Sequence, residues 1–384
     1  MGTFYEKAEE TMAQSNLREA NKAKNDEFYT QYEDIQREVN AYIEYNPDVF
    51  RDKTILLPCD DPEWSNFTKF FAQNFENFGL KKLISTSYAY ESKKLNTPYQ
   101  YSLFETEAPQ FDESKTKTHG KIFTLTRDRN SSGVIDIDDL EWQYLEGDGD
   151  FRSEEVKKLR DEADIIVTNP PFSLFREFLA WIVEENKKFI IIGNQNAITY
   201  KEVFPLIMQN KMWLGKGFKG GATHFINKYY TDYATASDHR EGMIRVSGVV
   251  WFTNLEHGRR HQPLSLMTMD DNIKFSKHKE IKNVGYFTYD NYDAIEVPYT
   301  DSIPDDYNGI MGVPISFLDK YCPEQFEILG ITDRNAQYGY RTKVYTLNDA
   351  KNFNDLNRGP VIKSEDTYKV VYTRIFIRKK VSEE

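Results

Sequence analysis

The amino-acid sequence predicts an α/β protein built around a parallel, doubly wound sheet. Up to about residue 200, short apolar runs that suit buried strands alternate with segments whose apolar residues recur at helical spacing. Beyond that point, short aromatic strands, glycine-rich turns and loops replace the alternation. Because strands that alternate with helices favour a parallel sheet covered on both faces, we predict such a sheet, followed by a loop-rich C-terminal region.

Composition is typical of a globular protein with a sizeable core. The chain has 384 residues, of which 39% are hydrophobic, enough for two domains or one enlarged domain. No apolar run approaches the ~18 residues of a membrane helix, and the polar, charged N-terminus is unlike a signal peptide. Cys59 and Cys322 are the only cysteines, which excludes a disulfide framework. We expect a cytoplasmic protein with no membrane partner.

Individual elements are predicted from apolar spacing and from the polar turns that interrupt it. Residues 1–24 are predicted to be a helical or frayed polar leader. Helices are predicted at 33–45, 64–75, 154–160 and 173–185. Strands are predicted at 54–57, 82–88, 164–168, 188–193 and 246–254. Short strands between residues 100 and 145 are interpreted as an inserted hairpin.

The turn after the strand at 164–168 is the most informative segment. The apolar run Ile165–Val167 is followed by Asn169, Pro170, Pro171 and Phe172. Proline fixes φ, removes a backbone donor and biases the residue before it away from the helical region. A polar amide is thus held in a stiff turn at the carboxyl end of a strand, with an aromatic ring beside it. Open α/β sheets bind their ligands at that end.

This turn resembles the catalytic motif of the amino-methyltransferases that use S-adenosylmethionine. An adenine N6 amine is a poor nucleophile because its lone pair is delocalised into the ring. The Asn169 side-chain carbonyl and the Pro170 backbone carbonyl could accept hydrogen bonds from that amine and expose its lone pair. Phe172 would stack on the base, and the protein's contribution would be mainly orientation. A strand end with a proline turn and a core phenylalanine is the alternative interpretation.

Two segments resemble the parts of such enzymes that hold the methionine end of the cofactor. The first is Phe28, Tyr29 and Thr30, which is similar to the segment that lies against the methionine moiety. The second is the first-strand loop: Pro58, Cys59, Asp60 and Asp61. It lacks the usual glycine-rich signature, yet a strand end, a tight turn and a helix still offer backbone amides and a carboxylate.

A third segment resembles the part that meets the adenine of the cofactor. Gly147–Phe151 contains Asp150, whose carboxylate would accept from the adenine N6, and Phe151, whose ring would lie nearby. A surface turn rich in Gly and Asp is the alternative. The acid that usually binds the ribose has no clear counterpart, since Ser85–Ser87 end the second strand and Glu91 is the nearest acid.

In this order, the segments resemble the DNA adenine-N6 methyltransferases, specifically the EcoRI-type modification methylases. The resemblance implies a Rossmann-like sheet that binds S-adenosylmethionine, with a catalytic domain over residues 25–260. It implies a DNA target-recognition region over 200–384, which overlaps the end of the catalytic sheet. Duplex DNA is the implied partner, with base flipping as the route to the adenine, and a cognate restriction endonuclease stays open as a functional partner.

Charge argues against a nucleic-acid partner at the level of the whole molecule. The net charge is −12, whereas phosphate contacts normally require Lys and Arg. A local face can differ from the sum. We therefore interpret the cationic residues of 211–261 and 374–380 as a basic substrate face, with ordinary solvated surface as the alternative.

Metal binding has little support in the sequence. Residues Asp128–Asp139 resemble a calcium loop, but position five is Ser and position twelve is Asp where Glu is preferred. A turn rich in Asp and Asn is therefore favoured. The six histidines lack the spacing of a zinc site, and no metal is predicted.

Two other functions remain open at this stage. One is an RNA-base or protein-glutamine N-methyltransferase that uses the same turn, and the other is a non-catalytic DNA-binding homologue.

Overall fold

The computed structural model describes most of the chain as two compact units. It covers residues 29–60, 65–89, 91, 106–129, 132–133, 135, 137–218, 222–226, 243–332, 340–365 and 367–380. The first unit contains the described residues of Met1–Ala197 and Leu214–His257. The second contains those of Ile198–Trp213 and Gly258–Glu384.

The first unit contains helices before and between its main strands in the chain order. They are α1 (Tyr32–Tyr45), α2 (Asn66–Gln73), α3 (Phe75–Phe78), α4 (Glu154–Glu162) and α5 (Phe175–Glu184). Ser65 and Ser153 cap α2 and α4 by accepting hydrogen bonds from the amides of Phe67 and Val156. Helix α3 ends at Gly79, whose φ of 62° closes the helix in the left-handed conformation.

Eight strands form one mixed sheet. They are β1 (Thr54–Leu57), β2 (Lys82–Ser87), β3 (Lys121–Leu125), β4 (Glu141–Tyr144), β5 (Ile165–Thr168), β6 (Lys188–Asn194), β7 (Trp213–Leu214) and β10 (Val249–Thr253). Their order across the sheet is β4-β3-β2-β1-β5-β6-β10-β7. A separate antiparallel pair is formed by β8 (Ala222–Ile226) and β9 (Met243–Ser247).

The centre of the large sheet is parallel, as the sequence predicted, and antiparallel strands extend it on both sides. Strands β2, β1, β5 and β6 are parallel neighbours. Strands β3 and β10 join them antiparallel. The chain moves from β1 to β2 on one side and later returns to β5 on the other. The gap between β1 and β5 is therefore the switch point of the sheet, where ligands bind in this class of fold.

Both faces of the central strands are buried. One hydrophobic cluster contains Ile55 and Leu57 of β1 with residues of α1, α2, β5 and β6. Leu56 between them is fully buried too, and successive strand side chains point to opposite faces. On that other face, α4 and α5 contact β1 and β6, which accounts for continuous apolar strands rather than alternating ones.

The predicted strand over 246–254 is two strands. Gly248 separates β9 from β10 with a φ of 67°, which only glycine adopts at little cost. Its carbonyl oxygen accepts a hydrogen bond from the Gln195 amide at 2.6 Å. The apolar pattern predicted the strand residues, but the single glycine between Ser247 and Val249 was not predicted to be a turn.

The second unit has its own sheet. Strands β11 (Ile295–Glu296), β12 (Met311–Pro314), β16 (Arg374–Lys379) and β13 (Phe326–Ile331) are adjacent in that order. A two-stranded ribbon, β14 (Val361–Ser364) with β15 (Thr367–Val370), accompanies it. Its helices are short: α6 (Phe204–Met208), α7 (Met269–Phe275) and α8 (Phe353–Leu356). Loops dominate this unit, as the sequence predicted.

Candidate active site

The carboxyl ends of β1 and β5 bring two of the predicted site segments together. Because the strands are parallel neighbours, the loop after β1 and the turn after β5 leave the same edge of the sheet. The hydroxyl of Thr168, the last residue of β5, lies 2.6 Å from the Pro58 carbonyl oxygen and 2.5 Å from Asp60 Oδ2. Its single proton serves one acceptor at a time. Either bond ties the first-strand loop to the turn that begins at Asn169.

Asp60 is anchored in the framework of this edge. Its side chain is buried, and Oδ1 accepts a hydrogen bond from Ser65 Oγ at 2.8 Å. Its amide donates to the Thr86 carbonyl, and its own carbonyl accepts from the Ser85 hydroxyl. The residue that the sequence assigns to the methionine end of the cofactor therefore also fixes the shape of its loop.

Cys59 adopts a conformation that glycine usually supplies. Its φ is 70°, in the left-handed region, and its side chain is half-buried. An L-residue pays about 1 to 2 kcal/mol for that conformation. The loop after β1 thus keeps a tight turn although it lacks the glycine-rich signature. The hydrogen bonds of Asp60, the next residue, keep Cys59 in this strained conformation.

The turn after β5 is stiff and partly buried. Asn169 is half-buried with its side-chain oxygen shielded from solvent, and Pro170 is buried. Pro171, at φ −53° and ψ 125°, precedes a short 3-10 helix over Phe172–Leu174. Phe172 is partly buried against the hydrophobic cluster of α1 and α2. An amide and a proline carbonyl thus lie at the sheet edge beside a partly exposed aromatic ring.

The Gly147–Phe151 segment reaches the same edge. Strand β4 is antiparallel to β3, which is antiparallel to β2, so β4 runs in the direction of β2 and ends at the carboxyl edge. Gly149 has a φ of 81°, and a Cβ there would collide with the Ser87 carbonyl oxygen. The Ala89 amide donates to the Asp148 carbonyl at 2.8 Å. This close approach explains the need for glycine.

Asp150 and Phe151 face different surroundings. Asp150 Oδ1 accepts from the Arg152 amide at 2.8 Å and Nε at 2.9 Å, and Oδ2 accepts from Nη2 at 2.6 Å. This hydrogen bonding is the main cause of the raised pKa of Arg152. Phe151 is buried, and its ring packs edge-on against Phe178 and Trp181 of α5. The Phe151 ring belongs to the core, whereas 21% of the Asp150 side chain stays exposed.

Tyr29 and Thr30 contact β8 and the start of α2, the helix that follows the first-strand loop. The Thr30 carbonyl accepts from Asn66 Nδ2 at 2.8 Å, and Tyr29 exchanges backbone hydrogen bonds with Ile226 of β8. Among the described residues, the buried Thr30 hydroxyl has no hydrogen-bond partner, and neither has the Thr86 hydroxyl near the carboxyl end of β2. Buried hydroxyls normally have partners. A polar ligand at this edge could provide them. Phe28 and Asp61, the other predicted cofactor residues, lie outside the described residues.

Sequence reasoning missed Glu38. Its carboxylate is buried on α1, where Oε1 accepts from the Tyr42 hydroxyl at 2.5 Å and the Lys216 amide at 3.0 Å. Oε2 accepts from the Gly217 amide at 3.0 Å. Burial, and then the Glu38 charge, raise the pKa of Tyr42 well above its ordinary value. An acid on the apolar face of α1 was the available signal.

Several cationic residues of the expected basic face form ion pairs in the described part of the chain. Arg374 is buried against Glu296, with 2.7 Å between Nη2 and Oε1. Other pairs are Arg378–Glu327 at 2.6 Å, Lys379–Asp305 at 2.5 Å and Arg259–Asp319 at 2.9 Å. Lys219, Lys228 and Arg240 lie outside the described residues. The structure therefore gives the C-terminal cations a role within their own unit.

The segment compared with a calcium loop has turn geometry. Asp128 accepts hydrogen bonds from the amides of Ser132 and Gly133, and Asp139 accepts from the Arg129 amide. In the described part of the chain, no three His, Cys, Asp or Glu side chains gather closely enough to hold a metal ion. Among the described residues, no helix is both long and apolar enough to cross a membrane.

Comparison with known proteins gives consistent matches over most of the chain. The family model described as adenine-specific methyltransferase EcoRI matches residues 16–380. The chain is 43% identical to the type II methyltransferase M.EcoRI of Escherichia coli over 82% of this chain and 88% of that protein. It is 34% identical to the type II methyltransferase M.MpnI of Mycoplasma pneumoniae, over 81% of this chain and 83% of that protein. No solved structure matches.

Proposed function

This chain belongs to the family of adenine-specific EcoRI methyltransferases and is a site-specific DNA methyltransferase, and on that premise we propose that the Asn169–Phe172 turn is its catalytic centre. The observation that carries the proposal is the meeting of this turn with the first-strand loop through Thr168. It puts an amide, a proline carbonyl and an aromatic ring at the switch point of the sheet.

Methyltransferases of this family use S-adenosylmethionine, which supplies the electrophilic methyl group. The residues at the edge fit a polar ligand of that kind. Thr30 and Thr86 contribute buried hydroxyls that lack partners in the described protein, and Asp150 contributes an exposed part of its carboxylate. We propose that Tyr29, Thr30 and the loop Pro58–Asp60 hold the methionine end, and that Asp150 accepts from the adenine N6. Phe28 and Asp61 are proposed for the same site on sequence alone.

Asn169 and Pro170 orient the substrate amine. Their two carbonyl oxygens accept hydrogen bonds from the adenine NH2, which draws the nitrogen toward tetrahedral geometry and exposes its lone pair. The turn is held in place before substrate arrives, because both prolines restrict the backbone and Pro170 is buried. Preorganised acceptors of this sort accelerate the reaction through orientation.

The adenine must leave the duplex to reach this turn. Enzymes that act on a base extrude it at a cost of about a few kcal/mol. Stacking on Phe172 offsets part of this cost, since base–aromatic stacking contributes about 1 to 3 kcal/mol. We therefore propose duplex DNA as the partner, base flipping as the route and residues 200–384 as the target-reading region. The type II relatives make a cognate endonuclease the functional partner to search for.

Mapping modified bases tests the proposal. DNA from cells that express the protein should contain N6-methyladenine at one recurring sequence, and DNA from cells that express Asn169→Ala should not. Purified protein should transfer labelled methyl groups to DNA in preference to RNA or protein extract. Methylation of RNA or protein alone, or of scattered adenines, would contradict the assignment.

A further inference from the structure

Arg152 joins two parts of the candidate active site. Its guanidinium donates to Asp150 on one side and, through Nη1 at 3.0 Å, to Glu177 Oε2 on the other. Glu177 lies in the first turn of α5, the helix that follows the Asn169–Phe172 turn. Arg152 also lies over the Phe151 ring, with its guanidinium carbon 5.4 Å from the ring centre. No role for this residue follows from the chemistry of methyl transfer.

The contact between Arg152 and Asp150 is more specific than an ordinary surface ion pair. Three donors meet one carboxylate: the Arg152 amide and Nε on Oδ1, and Nη2 on Oδ2. A two-point fork fixes the plane of the carboxylate as well as its position. The backbone bond from the same residue restricts it further. A lysine could not reproduce this geometry, because its ammonium is a point charge.

A fixed, ionised carboxylate has a chemical preference. It only accepts hydrogen bonds, so a nucleobase edge that faces it must offer an N–H donor. A 6-amino purine offers one, whereas a 6-oxo purine presents a carbonyl oxygen that the carboxylate repels. Without the fork, the carboxylate could turn away or bind a water that donates to a 6-oxo group. The ratio of the affinities for the two purines would then fall by a larger factor than the affinity for the 6-amino purine itself.

We propose that Arg152 is a positioning residue that makes the cofactor site selective for a 6-amino purine. The inference rests on the proposed function, in which Asp150 faces the adenine of the cofactor. Arg152 does not touch the purine in this account. It acts by holding Asp150 in one acceptor-only orientation.

Calorimetric titration with two non-reactive ligands tests this role. S-adenosylhomocysteine and S-inosylhomocysteine differ at the 6-position of the purine and at N1. The unmodified protein should prefer the adenosyl ligand by about tenfold or more, the size expected for one charge-assisted hydrogen bond. Arg152→Gln and Arg152→Lys should each lower that ratio by at least about threefold, an expectation that follows from loss of the two-point fork. Glu177→Gln, which removes the other partner of Arg152, should leave the ratio unchanged.

The outcomes separate this inference from the function on which it rests. An unchanged ratio in both Arg152 variants would overturn the role of Arg152 while leaving Asp150 in the site. Equal weakening of both ligands, together with a lower melting temperature, would show a purely structural role and also overturn it. Asp150→Ala with unchanged affinity for both ligands would instead overturn the placement of the cofactor. If the unmodified protein bound both ligands equally well, the site would not be selective and the inference would be overturned.

Discussion

At the edge where β1 and β5 end, the proposed methyl transfer depends on the positions of a few side-chain and backbone oxygens. The residue types of the turn could be predicted from sequence, because Asn followed by two prolines restricts the local backbone whatever surrounds it. The bond from Thr168 to Asp60 could not, because the two residues are 108 positions apart and only the sheet brings them together. Likewise, the alternating Gly and Asp residues before Phe151 predicted a turn. They did not predict that the Phe151 ring would be buried.

Phe172 provides the first prediction at this scale. Phe172→Ala should reduce methylation of a fully paired site, because less stacking energy offsets the cost of extruding the adenine. The loss should be partly rescued when the target adenine faces a mismatch, since the cost of unpairing is then lower. Single-turnover rates on paired and mismatched duplexes measure this. An equal loss on both duplexes would argue against stacking on the flipped base.

Replacement of Asp60 or Asp150 by alanine should weaken cofactor binding in both cases but should affect the free energy of unfolding to different extents. Asp60→Ala should weaken S-adenosylmethionine binding and also lower the free energy of unfolding by about 1 to 3 kcal/mol, because the buried Ser65 hydroxyl loses its acceptor and the Thr168 hydroxyl keeps only the Pro58 carbonyl. Asp150→Ala should weaken binding with a smaller effect on unfolding, since its side chain is partly exposed. Calorimetry and urea unfolding measure the two quantities. Unchanged affinity in both variants would place the cofactor elsewhere.

At the scale of elements, apolar periodicity located the parallel strands well. Strand β1 has the predicted bounds, Thr54–Leu57, and β5 begins one residue later than predicted. Pairing was harder to predict, because periodicity does not encode the direction of a neighbouring strand. The inserted hairpin predicted between residues 100 and 145 supplies β3 and β4 to the edge of the main sheet. That pairing directs Gly147–Phe151 to the cofactor edge.

Helix α1 and the glycine-rich loop after β7 form the next testable element. A Cβ on Gly215 would overlap Glu38 Oε1, and Glu38 holds the Lys216 and Gly217 amides. Gly215→Ala and Glu38→Ala should each lower the free energy of unfolding by about 2 to 4 kcal/mol, through overlap in one case and unsatisfied donors in the other.

Glu44→Ala is the matched control for the Glu38 variant. Glu44 lies on the same helix but is exposed, so its replacement should change unfolding by less than about 0.5 kcal/mol. Urea denaturation at one pH compares the three variants. A Glu38→Ala protein as stable as the Glu44→Ala protein would contradict a stabilising role for the bonds from Glu38 to the Lys216 and Gly217 amides.

For the whole molecule, net charge and DNA as the substrate have to be reconciled. The chain carries a net charge of −12, and Arg374, Arg378 and Lys379 form ion pairs within the second unit. The sequence predicted a loop-rich C-terminal region but not this pairing, because ion pairs form between residues distant along the chain. The assignment of 200–384 to DNA recognition stays a prediction.

The salt dependence of DNA binding tests whether these cations contact phosphates. Each phosphate neutralised by a cation adds about 0.9 to the slope of log affinity against log salt concentration. Arg378→Gln and Lys379→Gln should change that slope by much less, because each cation is paired with a carboxylate. Fluorescence anisotropy with a duplex that contains the mapped site measures the slope. A decrease of about 0.9 for each variant would show that both contact phosphates.

The central claim is that Asn169 orients the adenine amine for methyl transfer, and single-turnover methylation by Asn169→Ala tests it most directly. The variant should bind S-adenosylmethionine within a few-fold of the unmodified protein, measured by calorimetry, because the side chain acts on the substrate amine. Its rate of methyl transfer to the mapped DNA site should fall by about two orders of magnitude or more, as expected for loss of an orienting acceptor in the transition state. Methylation at a near-normal rate, with cofactor binding intact, would contradict the account.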